Sequence, residues 1–149
     1  MADNSAPALI VETEPDLGSV NLLEEWLYEF NVQTTGIADG KLLSIFLRNS
    51  DAAVIGGVHG WTWAGTCYVR LLYIPADLRK RGYGTRLMQA VEQEARAPGC
   101  YEIVLHTHEF QAPEFYRKLG FKLSGTEEFP RGHQFFRMVK ALQPTKLGA

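Results

Sequence analysis

The chain has 149 residues, 46% of them hydrophobic and 21% charged, and 15 Lys and Arg against 17 Asp and Glu leave a net charge of -2. This length and composition suit one globular domain with its own core and exclude a disordered, collagen-like or coiled-coil chain. The near-neutral balance disfavours a whole-chain polyanion binder, no apolar run reaches the ~20 residues of a membrane span, and Cys67 and Cys100 form no closely spaced pair. The first residues, Met1-Ala2-Asp3-Asn4-Ser5, carry neither basic residues nor an apolar segment. The expectation is a cytoplasmic protein with no nucleic-acid or membrane partner.

Residues 1–7 and 144–149 are small or polar and are expected to fray. Residues 8–11, Ala-Leu-Ile-Val, read as a first strand. From residue 16 to 30, Val20, Leu23, Leu27 and Phe30 recur at helical spacing, with Asp16 and Asn21 as two candidate N-caps. Residues 42–48 and 53–63 read as strands joined by the polar turn Asn49-Ser50-Asp51, and Ala64-Gly65 turns the chain into a third strand over 67–74. Leu87, Met88, Val91 and Ala95 mark one face of a helix from 84 to 97, ended by Pro98-Gly99. A strand over 101–108, a short helix over 112–119 with Pro113 in its first turn, and strands over 121–124 and 134–140 complete the order β-α-β-β-β-α-β-α-β-β. Such mixed order implies one α+β domain, a central sheet covered by helices.

One segment stands apart. After Leu72-Tyr73-Ile74-Pro75 comes Arg79-Lys80-Arg81-Gly82-Tyr83-Gly84-Thr85-Arg86, placed between a strand and a helix. The first N–H groups of a helix attract anions, and glycine lets a ligand approach the backbone closely. Arg79, Lys80, Arg81 and Arg86 concentrate positive charge there in a chain whose net charge is -2. Gly-x-Gly alone would be an ordinary turn. The dinucleotide fingerprint fails because Leu87 stands where its third glycine belongs, and no G-K-[ST] is present.

The pattern that is met, R-x-x-G-x-G on Arg79, Gly82 and Gly84, resembles the acyl-CoA pyrophosphate loop of the GCN5-related N-acetyltransferase (GNAT) family. Phe115-Tyr116-Arg117-Lys118-Leu119-Gly120-Phe121 resembles that family's later tyrosine segment, and the likeness spans about residues 8–142. Phe110-Gln111-Ala112-Pro113 resembles a bacterial branch of it. The resemblance implies an α+β fold with a single mixed, mostly antiparallel sheet flanked by helices, over one N-acetyltransferase domain. It implies acetyl-CoA as co-substrate and no metal. The acetyl group would pass directly, through a tetrahedral intermediate, to a primary amine on a small molecule, a peptide N-terminus or a lysine. Backbone at Leu72, Tyr73 and Ile74 would pair with pantetheine between two splayed strands, and Arg79, Arg81, Gly82, Tyr83, Gly84 and Thr85 would hold the pyrophosphate. A backbone N–H near Ile74 would hold the oxyanion. The pairing of many relatives through their last strands implies a homodimer.

Tyr116 takes the position of the acid that protonates the leaving thiolate; its plain alternative is a core tyrosine. The base is His106 or His108, two apart on one strand face, or Glu109, Glu114 or a relayed water. His106 and His108 as metal ligands lack an obvious third. Glu109 stands where many relatives carry an asparagine. Trp61, Trp63 and Tyr68 are core or an aromatic acceptor wall, and Tyr28, Phe30 and the loop 32–40 would border the acceptor in the family's layout; His133, on the turn Pro130-Arg131-Gly132-His133, is a further acceptor candidate or a plain surface turn. The alternative in kind is a non-catalytic acyl-CoA-binding or regulatory module of the same fold. An enzyme using the glycine loop on a nucleotide phosphate is a further rival.

Overall fold

A computed structural model describes residues 4–142 as two compact units, one up to Ile37 and one from Ala38 onward. The outermost residues of the expected frayed ends, 1–3 and 143–149, lie outside the described residues.

The first unit carries helix α1 (Leu17–Thr35). Asp16 is its N-cap, accepting the Ser19 N–H at 3.2 Å, which decides between the two candidate starts. Gly36, at φ 74°, closes the helix by donating to Val32 O at 2.7 Å. The strand expected over 8–11 does not form. Four apolar residues satisfy a strand pattern, but a strand exists only in a ladder, and no pairing includes them.

The second unit is built on a sheet of β1 (Lys41–Arg48), β2 (Val54–Trp63), β3 (Thr66–Tyr73), β4 (Glu102–His108), β5 (Lys122–Glu128) and β6 (Gln134–Ala141). Its order is β1-β2-β3-β4-β6-β5. Every pair is antiparallel except β3–β4. That parallel pair needs a crossover, which helix α2 (Tyr83–Arg96) supplies; helix α3 (Pro113–Lys118) links β4 to β5. The mixed sheet with flanking helices is the expected fold class.

Local chemistry accounts for the turns. Asn49 Oδ1 accepts from the N–H groups of Asp51 and Ala53 at 2.9 and 3.0 Å, shaping the β1–β2 connection. Ala64 and Gly65 both have positive φ, 53° and 83°, the geometry that joins strands through two residues without splaying them. On α2, Leu87, Met88, Val91 and Ala95 are buried and join a core with Cys67, Val69, Ile103, Leu105 and Met138 from the sheet. Each such large side chain, fully buried, contributes roughly 1.5–3 kcal/mol.

Two irregularities position the site. The register of β2 with β3 skips Arg70: His59 faces Leu71 and Gly60 faces Val69. This bulge flips the alternation of β3, so Leu72 packs on the same core as Cys67 and Val69. Opposite it sits Gly60, where a Cβ would lie 1.9 Å from Tyr68 O. The second irregularity follows at once. β3 pairs with β4 only from Thr66↔Glu102 to Val69↔Leu105. Beyond that, β3 stays with β2 as far as Tyr73↔Gly57, and β4 stays with β6 as far as His108↔Phe135. The two strands therefore part, leaving a gap in the middle of the sheet.

Candidate active site

The gap offers unpaired backbone. Residues 71–73 of β3 pair with β2 on one side, and the β3–β4 ladder ends before them, at Val69↔Leu105. A chain bearing amides could be received there as strands receive one another. Leu72 and Ile74 pack on the core at its edge, and Tyr73 is exposed.

The strand then turns at Pro75 through a 3-10 turn over Ala76–Leu78 into the basic loop. Arg79 does not reach outward along its whole length. Its Nε donates to Ile74 O at 2.9 Å, and its guanidinium carbon lies 5.8 Å from the centre of the Tyr73 ring. The Ile74 carbonyl is therefore engaged, and Arg79 fastens the loop to the end of β3. Lys80 is left-handed at φ 59°, a conformation costing a non-glycine residue roughly 1–2 kcal/mol, and Gly82 is left-handed at φ 86°. Gly82 is the N-cap of α2, and no side chain caps that end. The first backbone bond there runs from Arg86 N–H to Gly82 O at 3.1 Å. The N–H groups of Tyr83, Gly84 and Thr85 precede it, so the helix start presents donors as an anion site does. Arg81 and Arg86 are exposed beside it. Gly84 has a second reason to be glycine: a Cβ would lie 3.0 Å from the ring of Phe115 in α3.

The uncapped start and the strand gap form a continuous run from Leu72 to Thr85. Together they fit a ligand with an amide-bearing arm and a pyrophosphate, which is the chemistry of coenzyme A. Among the described residues, no group of three or more His, Cys, Asp and Glu could hold a metal. None of the helices there is long and apolar enough to cross a membrane.

Tyr116 lies on the core side, in edge-on contact with Phe115 and Phe121 at 5.2 and 5.7 Å between ring centres. Burial pushes its phenol up to about 12, so it stays protonated across the physiological range. His106 and His108 share the other face, as alternation requires, and both contact the Phe135 ring. His106 is the first β4 residue beyond the paired segment, and its Nδ1 lies 3.0 Å from the Tyr68 hydroxyl. His108 is differently placed. Its ring is packed among Phe110, Phe129, His133 and Phe135, and its Nδ1 is buried without a hydrogen-bond partner.

The remaining candidates divide. Trp61 stacks on Tyr68 at 5.3 Å. Glu109 is exposed, with its backbone N–H on Gln134 O, and Glu114 is ion-paired to Arg117. Tyr28 lies on α1 in the first unit. Sequence reasoning missed the Arg70 bulge, the role of Gly60 and the packing of Phe110, Phe129 and Phe135 around the histidines. Only the glycine was a local signal; the rings meet through the β4–β6 pairing, which is not local.

Comparison with known proteins bears on this site. The model of the acetyltransferase (GNAT) family matches residues 10–121. An acetyltransferase of Agrobacterium fabrum is 32% identical over 111 residues, 74% of this chain and 81% of that protein. A crystal structure of an Agrobacterium tumefaciens protein assigned to the acetyltransferases superimposes with a TM-score of 0.77 at 28% identity, over 91% of this chain and 99% of that one. The structure of an aminoglycoside 6′-N-acetyltransferase complexed with coenzyme A has a TM-score of 0.61 at 17% identity, covering 84% of this chain and 93% of that one. That last likeness is one of fold.

Proposed function

The chain belongs to the GNAT acetyltransferase family, and from that premise we propose that it acts as one domain to move an acetyl group from acetyl-CoA directly to a primary amine. The observation that carries this reading is the β3–β4 gap running into the uncapped start of α2. A neighbour of the same fold was crystallised with coenzyme A.

The residues have distinct tasks in this reading. The free edge over 71–74 receives the pantetheine amides, with the Ile74 N–H left available while its carbonyl holds Arg79. The N–H groups of Tyr83, Gly84 and Thr85, ordered by Gly82, receive the pyrophosphate, and Arg81 and Arg86 add charge. Acetyl-CoA would supply an acetyl thioester, whose carbonyl carbon would bond to the amine nitrogen to give a tetrahedral intermediate, and the carbon–sulfur bond would break as that intermediate collapses. His106 takes the proton the amine must lose. For that, Nδ1–H donates to the Tyr68 oxygen, leaving Nε2 with its lone pair; Tyr68 is thus a positioning residue. Tyr116 gives its phenolic proton to the departing sulfur. A thiol titrates near 8.5 in water, well below a phenol raised to about 12, so this transfer is uphill unless the sulfur is also desolvated. A water-poor gap raises the cost of a free thiolate and brings the two closer.

The test pairs calorimetry of coenzyme A binding with thiol release from acetyl-CoA over a panel of primary amines. Binding with release on at least one amine is expected. Binding with no release on any amine would make the chain a coenzyme A module without transfer.

A further inference from the structure

The link between β4 and α3, residues 109–112, joins the strand of His106 to the helix of Tyr116. α3 has six residues, its N-cap Ala112 gives no side-chain bond, and a helix that short does not hold itself in place. The rings against Tyr116, Phe115 and Phe121, belong to the same stretch of chain, so they do not fix it against β4. Gln111 ties that stretch back to the strand. Its backbone N–H donates to His108 O at 2.9 Å, and its Oε1 accepts from the His108 N–H at 2.7 Å and from the Thr107 hydroxyl at 3.4 Å. Both neighbours are donors, so the carboxamide must present its oxygen to them.

These bonds fall on the edge of β4 that faces the gap. The Glu109 N–H donates to Gln134 O, towards β6. Successive residues of an antiparallel strand aim their N–H groups at opposite edges, so the His108 N–H points to the side from which β3 has parted. Gln111 supplies there the pairing that β3 no longer gives. The same link grips the same residue a second time. The Phe110 ring stacks on the His108 ring at 5.0 Å with 9° between planes, and Phe129, His133 and Phe135 contact that ring as well. Beside Gln111, Ala112 O accepts the Tyr116 N–H at 3.3 Å, so the tie runs from β4 to Tyr116 without a break.

We propose that Gln111 is a positioning residue: by closing on the gap-side edge of β4 it sets α3, and with it the Tyr116 hydroxyl, against the departing sulfur. The inference rests on the reading of Tyr116 as the acid. His108 is the seat of this grip rather than a base; its backbone carries the bonds, and its buried Nδ1 has no partner.

The experiment measures thiol release at saturating acetyl-CoA, with coenzyme A calorimetry, for Gln111→Leu, Gln111→Glu, Tyr116→Phe and the double variant Gln111→Leu with Tyr116→Phe. Gln111 is exposed, so its variants leave the core intact, and melting curves check this. Gln111→Leu should lower kcat about tenfold at unchanged coenzyme A affinity, since a misplacement of about 1 Å at a reacting group costs up to about a hundredfold. Gln111→Glu keeps the acceptor oxygen and should hold kcat within threefold of wild type. In Tyr116→Phe the hydroxyl is already gone, so adding Gln111→Leu should cost nothing more; a purely structural role would lower kcat equally in both backgrounds. Amide exchange over 112–119 should quicken in Gln111→Leu. A Gln111→Leu kcat within twofold of wild type, a Gln111→Glu as slow as Gln111→Leu, an equal loss in both backgrounds, or lost affinity in place of lost kcat would overturn the positioning role while the transferase reading stands. If Tyr116→Phe keeps kcat, the acid reading falls and takes this inference with it. If no amine releases thiol, the transferase reading falls, and exchange decides alone: faster exchange over 112–119 supports the grip on α3, and unchanged exchange overturns it.

Discussion

The two halves of the β3–β4 pair are made by the same strands and do opposite things. Over Thr66–Val69 and Glu102–Leu105 they are hydrogen-bonded to one another, and Cys67, Val69, Ile103 and Leu105 are sealed in the core. Past that point the strands diverge, the backbone of β3 loses its partner, and the side chains become Leu71, Tyr73, His106 and His108. A single extra residue, Arg70, marks the change. A bulge can thus divide one strand pair into a part that holds the fold and a part that holds a ligand. Neither part needs an element of its own.

The largest way to stress this contrast is alkali, which attacks the sealed half. Burial, with the neighbouring Cys100 adding to it, pushes the Cys67 thiol from 9.0 up to about 12. The folded chain holds that proton more tightly than the unfolded chain. Its stabilising effect is therefore complete below pH 9 and is lost as pH rises towards 12. Three units correspond to on the order of 4 kcal/mol from this group. Tyr116, raised from 10.0 to about 12 by burial, adds a loss in the same direction above pH 10. Urea titrations at pH 8, 10 and 11.5 should show stability falling steeply over the last interval, and a flat profile would mean that neither group is sealed.

Next comes the hinge between the halves. Gly60→Ala places a Cβ against the Tyr68 carbonyl, a backbone atom that cannot swing aside. A loss of about 3 kcal/mol is expected. Calorimetric melting should register it as a fall of roughly 10 °C. An unshifted midpoint would show that the strands approach less closely at the bulge.

The chemistry proposed at the open half is tested by activity instead. Tyr116→Phe keeps the ring beside Phe115 and Phe121 and deletes only the hydroxyl. It should lower kcat about a hundredfold, with coenzyme A affinity unchanged. A kcat within threefold of wild type would make Tyr116 a packing residue. Tyr68→Phe should cost about tenfold in kcat by freeing the His106 tautomer, with less effect on KM. Its pH–rate profile should also move, which a purely structural role would not do.

How much of this could be read from residues alone follows from how local each feature is. The basic glycine loop was legible because strand end, cations, glycines and helix start are consecutive from Leu72 to Arg86. The helix face of Leu87, Met88, Val91 and Ala95 was legible by period, and each is buried. The place of Tyr116 on a short helix after β4 was legible by motif. The apolar run at residues 8–11 misled, since a strand pattern says nothing about a partner strand. The Arg70 bulge left no pattern, because a one-residue slip is a property of two strands together. The ring contacts were legible only in fragments, Trp61 with Tyr68 and His106 with His108. Phe135, which joins the latter pair, arrives through the β4–β6 register, and Phe110 comes from the loop after β4.

Amide hydrogen exchange followed by mass spectrometry, with and without acetyl-CoA, tests the division of the strand pair most directly. The segment 66–69 should exchange slowly in both states, because its ladder is complete. The segments 71–74 and 81–85 should exchange readily alone and become protected on addition of acetyl-CoA. Protection that falls elsewhere, or a segment 71–74 already as slow as 66–69 without ligand, would contradict the account.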